Sequence, residues 1–68
     1  MVKLRVNGDT LELPDTVGTV SQLLSHFGLD GKIAIVELNE QVLEKSGHDE
    51  ARLTEGDRVE IVHFVGGG

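Results

Sequence analysis

From Val2 to Val6 the chain alternates, with Val2, Leu4 and Val6 apolar and Lys3, Arg5 and Asn7 polar. That is the period of a strand with one buried face. Asn7-Gly8 follows, the favoured pair for a two-residue hairpin turn in which both central residues need positive φ. Leu11 and Leu13 then alternate with Thr10 and Glu12 until Pro14 closes the segment, so the opening reads as a β-hairpin. The period changes at Thr19. Thr19 and Gln22 have the spacing of a capping box. Val20, Leu23, Leu24 and Phe27 form one apolar stripe of a short helix, Val20 to Phe27, and Gly28 stands where a helix-ending glycine belongs. Lys32 to Leu38, KIAIVEL, is too short for a typical helix and rich in β-branched residues, which predicts a strand. Val36 and Leu38 are expected to face the core, leaving Ile33 and Ile35 on the side of Glu37. Asn39 to Leu53 is polar and irregular, with Val42, Leu43 and Leu53 as expected anchors. Glu55-Gly56-Asp57 predicts a turn, and RVEIVHFV, Arg58 to Val65, a last strand.

The order is strand, strand, helix, strand, irregular segment, strand, without repeats or an interdomain linker. A helix that follows a hairpin must cover the one apolar face of the sheet. The first and last strands can pair in parallel at the centre, with the third beside the last. The expected fold class is therefore α+β, a β-grasp in which a mixed sheet of four to five strands packs on one helix. Residues 1–64 are expected to form the domain and residues 65–68 a flexible C-terminal glycine tail.

Composition narrows the function. A chain of 68 residues is one domain near the lower limit for a single hydrophobic core, with little room for an enclosed active site. It has no cysteine, so neither disulfides nor thiolate metal sites supplement that core. Twelve acidic residues against six basic ones give a net charge of −6. Such a surface repels phosphate backbones and anionic bilayers, so no nucleic acid and no membrane is expected as partner. The complement is a basic patch on another protein. Met1-Val2 leads at once into the alternating pattern, with no leader segment and no membrane-length apolar run, which makes the cytoplasm the expected location.

The candidate chemistry lies at the end of the chain, VEIVHFVGGG. Glycine weakens a strand, so the last three residues read as a frayed terminus, an added scar or a chemical handle. A carboxylate is inert toward nucleophiles until activated, for example as a mixed anhydride with AMP. The activating enzyme must enclose it beside ATP, and only glycine lets a backbone pass so close to other groups. Extended, Val65 to Gly68 reaches about 13 Å, at roughly 3.3 Å per residue. If Val59 and Ile61 point inward, Val62 and Phe64 lie on the outer face; the opposite phase would bury Glu60 without a partner. An exposed apolar patch on a small acidic domain marks a protein interface.

Other chemistry finds no support. His26, His48 and His63 lack metal-ligand spacing, and GHDEARLTEGD lacks the oxygen spacing of a calcium loop. Ser21, Ser25 and Ser46 have no nucleophile context, and the glycines form no phosphate loop. The chain is not expected to be an enzyme or to bind a metal or cofactor itself.

Taken together, TVSQLLSHFGL, IAIVELNEQVL and LTEGDRVEIVHFVGGG resemble the thiamin-biosynthesis sulfur carrier family (ThiS) of the ubiquitin-like β-grasp superfamily. The resemblance covers essentially the whole chain and is most specific from Gly56 to Gly68; Asn39 after the third strand also matches, while Gly66 is a glycine that many relatives lack. It implies a cycle at Gly68. An E1-like adenylating enzyme using ATP and Mg²⁺ would activate the carboxylate, which would become a thiocarboxylate with sulfur from a cysteine desulfurase system or an equivalent route. Thiazole synthase would then take the sulfur for the thiazole ring of thiamin. Gly66 and Gly67 would give a slim arm, and Val62, Phe64 and Ile35 a docking surface. Two alternatives stay open: a small sulfur carrier subunit of the molybdopterin synthase type, and a ubiquitin-like modifier or interaction module.

Overall fold

The computed structural model describes residues 1–29 and 33–63. Among these residues, five strands form one mixed sheet packed on a single α-helix. The strands are β1 (Val2–Val6), β2 (Asp9–Leu13), β3 (Ala34–Leu38), β4 (Gln41–Leu43) and β5 (Arg58–His63), and the helix is α1 (Val20–His26). Across the sheet the order is β2-β1-β5-β3-β4. β1 and β5 pair in parallel at the centre, with Arg5 opposite Arg58 and Val6 opposite Val59. The other pairs are antiparallel. This is the β-grasp arrangement expected from the order of elements.

Local signals place the elements. Asn7 and Gly8 take φ of 50° and 87°, the two positive values that a type I′ turn demands. The Thr19 hydroxyl accepts from the Gln22 N–H while Gln22 Oε1 accepts from the Thr19 N–H, so the capping box is complete. Gly28, at φ 74°, lies just beyond the C-cap residue Phe27. A seven-residue helix is marginal alone, so its packed face holds it. Val20, Leu23 and Leu24 pack beneath the sheet against Leu4, Val36 and Val59. The chain start is also tied down: the Met1 amino group lies 2.6 Å from Asp15 Oδ1, and that hydrogen bond raises its pKa above the ordinary 8.0.

Four details depart from the sequence reading. Residues 41–43, expected to be irregular, form the strand β4. Its turn, Asn39-Glu40, has φ of 49° and 72°, the same I′ geometry built without glycine. Val42 is therefore no anchor. It alternates with the partly buried Leu43 and is 66% exposed on the outer face, whereas Leu53 is buried as expected. Phe27 closes the helix at the edge of its stripe and remains 39% exposed. His48, expected in a polar loop, does lie in a loop after a single 3-10 turn (Lys45–Gly47), but it is only 6% exposed. The strand expected from Lys32 begins at Ala34; Lys32, Phe64, Val65 and the three tail glycines lie outside the described residues.

Candidate functional site

The site is built on β5, the strand leading toward the glycines. Its inward residues, Val59 and Ile61, are buried beside Val36 and Leu4, which fixes the outward phase of Glu60 and Val62. Val62 is 56% exposed and stands directly opposite Ile35 of β3, itself 45% exposed. Ile33, before β3, is exposed too, and Val42 of β4 sits opposite Glu37. Sequence phase thus placed Ile35 and Val62 correctly, and the register brings them together as a cross-strand pair. Phe64 and the glycines Gly66, Gly67 and Gly68 fall outside the described residues.

The patch has a charged border. Glu37 lies opposite Glu60, two pairs along the ladder from Ile35 and Val62 and so the next pair on the same face. Like charges directly opposite are mutually unfavourable, so this border is kept at some cost to the sheet. Beyond it, Arg58 makes an ion pair with Glu40 at 2.9 Å, between two well-exposed side chains. Among the described residues no cluster of His, Cys, Asp or Glu could hold a metal ion. No helix among them is long and apolar enough to cross a membrane.

Two asparagines hold β5 in place. The ladder of β1 with β5 ends at Val6 and Val59, one step short of the outer half of β5. Asn7, in the left-handed turn conformation, continues it with its side chain. Nδ2 donates to the Ile61 carbonyl at 3.2 Å, and Oδ1 accepts from the Ile61 N–H at 2.7 Å. Asn39 does the same at the start of the strand, where its Oδ1 accepts from the Arg58 N–H at 2.9 Å and its Nδ2 donates to Asp57. Asp57 in turn accepts from the Thr54 N–H and closes the preceding turn. Neither contact was read from the sequence. The sequence places Asn7 in its turn, and its reach to a strand 54 positions away has no local signal.

Comparison with known proteins agrees with this geometry. The family model described as "ThiS family" matches residues 3–68. The sulfur carrier protein ThiS of Bacillus subtilis is 42% identical over 65 residues, covering 96% of this chain and 98% of that protein. A thiazole synthase of Paramagnetospirillum magneticum is 36% identical over 67 residues, 98% of this chain but 20% of that longer protein. The crystal structure of a thiamine biosynthesis protein (ThiS) from Geobacter metallireducens superposes with a TM-score of 0.80 at 35% identity, covering 98% of this chain and all of that one. With a full-length family match, a close relative along nearly its whole length and a shared fold, the chain belongs to the ThiS family of sulfur carrier proteins.

Proposed function

We propose that this chain carries sulfur on Gly68 for building the thiazole ring of thiamin, and that it serves as a carried substrate of other enzymes rather than as a catalyst. The observation that carries the reading is the pairing of Ile35 with Val62 on the outer face of the strand that runs toward the glycines. A partner seated on that patch lies against the end of β5, and an extended Val65–Gly68 would span roughly 13 Å.

In the first step the Gly68 carboxylate attacks the α-phosphorus of ATP, pyrophosphate leaves, and an acyl adenylate forms on the E1-like partner. ATP and Mg²⁺ belong to that enzyme. In the second step the outer sulfur of a persulfide, formed by a cysteine desulfurase system or its equivalent, displaces AMP to give an acyl disulfide, and a thiol of the partner cleaves it, leaving the thiocarboxylate on Gly68 and a disulfide on the partner. Thiazole synthase then accepts the sulfur. The chain's own residues contribute geometry: Asn7 and Asn39 fix β5, Ile35, Val62 and Phe64 dock the body, and Gly66 and Gly67 keep the arm slim enough for a narrow channel. The name of the Paramagnetospirillum relative supports thiazole synthase as the acceptor.

The test is intact-mass measurement after incubation with the activating enzyme, ATP, Mg²⁺ and a sulfur source. A gain equal to exchange of oxygen for sulfur, localised to the last residue by fragmentation, is expected. An unchanged mass beside partners that are active on a known carrier would overturn the reading.

A further inference from the structure

The sheet has a second surface suited to recognition, on the edge farthest from β4. β2 is an edge strand, paired only with β1 among the described residues. The two-residue turn at Asn7-Gly8 makes Val6 and Asp9 a hydrogen-bonded pair, and the pattern then alternates. Asp9, Leu11 and Leu13 therefore direct their backbone groups to β1. The N–H and C=O groups of Thr10 and Glu12 point away from the sheet, and none bonds to a described backbone group there.

Beside this edge, on the helix side, lies a cleft of about 320 Å³. Leu11 of β2, Phe27 and Leu29 at the end of α1, and Ile61 of β5 line it, with Asp9 at its rim. It has room for one or two large apolar side chains. Phe27, one of only two aromatics in the chain, is partly exposed there. The two features are in register. A strand added beside β2 would place the residue opposite Leu11 on the cleft side, and the residues opposite Thr10 and Glu12 on the outer face.

We propose that the β2 edge is a docking site for an extended segment of a partner protein that alternates lysine or arginine with apolar residues. The backbone of that segment bonds to Thr10 and Glu12, one apolar side chain opposite Leu11 enters the cleft, and its flanking cations lie on the outer face, where one meets Glu12. Edge pairing with pockets for alternate side chains is an established mode of peptide capture. Charge selects the occupant. A second copy would bring its own net charge of −6 and its own Glu12 to the same edge, whereas a basic segment complements that charge. Glu12 stands opposite Lys3 on the outer face but makes no ion pair with it or with any other described residue. The proposal goes beyond sulfur transfer and does not depend on the state of Gly68.

The experiment titrates the isotope-labelled full chain with a short end-capped peptide alternating lysine with valine or leucine. Two controls accompany it: the same residues reordered so that the lysines are contiguous, and the alternating peptide with glutamate for lysine. Saturable amide shifts at Thr10 and Glu12, slowed solvent exchange of those two N–H groups, and methyl shifts at Leu11 and Leu29 are expected from the alternating basic peptide alone. Thr10→Pro removes one outward donor that β1 does not use, and abolishes the saturable shifts. Glu12→Lys, a surface change that leaves the backbone intact, weakens binding about fivefold, the scale of a lost exposed ion pair of roughly 1 kcal/mol. Equal binding by the reordered peptide, shifts confined to Ile35 and Val62, or no binding would overturn the proposal. So would protection of Thr10 and Glu12 that rises with the chain's own concentration in the absence of peptide, which would assign the edge to a second copy.

Discussion

Asn7 grips Ile61 through both ends of its amide, donating from Nδ2 and accepting at Oδ1, and so replaces the backbone rung that β1 cannot supply beyond Val6. One residue thereby serves two purposes, forming the turn and fixing the strand that leads toward the glycines.

The two purposes separate by mutation. Asn7→Gly keeps the positive-φ turn and loses only the clamp, and is expected to cost about 1.5 kcal/mol, that of two modest hydrogen bonds. Asn7→Ala also forces a side chain with no local hydrogen bond into the left-handed region, and is expected to cost about 1 kcal/mol more. Denaturant unfolding of the three proteins measures both differences. Equal stability of the alanine and wild-type chains would show that the clamp contributes nothing.

Leu23 is fully buried on α1 and packed in the main cluster. Leu23→Ala should cost about 3 kcal/mol. A domain this small has a total stability of only several kcal/mol, so a large fraction of the variant should be unfolded at physiological temperature. Circular dichroism melting checks this directly.

Replacing both Glu37 and Glu60 by glutamine removes a like-charge cross-strand pair. The variant is expected to be more stable by about 0.5 kcal/mol at low salt, with the gain shrinking as salt rises. Melting curves across a salt series read out both effects.

Ile35→Thr and Val62→Thr keep β-branched residues on the outer face, and each should change stability by less than about 0.5 kcal/mol. Together they are expected to weaken adenylation by the activating enzyme through KM, because docking is lost while the tail is intact. Adenylate formation followed at several carrier concentrations separates the two parameters. An unchanged KM would move the docking surface elsewhere.

The parts of the fold that the sequence made legible are those encoded locally. The alternation in β1 and β2, the Asn-Gly turn, the capping box at Thr19 and Gln22, and the phase of Val59 and Ile61 each lie within a few residues, and each is seen in the structure. The strand β4 escaped notice because it is three residues long and its turn uses Asn39 and Glu40 at positive φ without a glycine. Val42 reads as an anchor for the same reason, since without a strand no phase turns it outward. Burial of His48 was equally invisible. It follows from the loop closing over the start of α1, where the Ser21 N–H donates to the His48 carbonyl and the Ser21 hydroxyl to Asp49. The exposed pair is legible in part: alternation puts Ile35 and Val62 on the outer face, but only strand register sets them opposite each other.

The central position of β5 also bears on mechanical load. On the proposed reading, an activating enzyme that takes up the glycines would load the C-terminal end of this strand. The rungs to β1 on one side and β3 on the other lie across that load and share it, together with the side-chain rung at Asn7. Strand order thus sets the end of β5 against such a load in shear rather than rung-by-rung peeling.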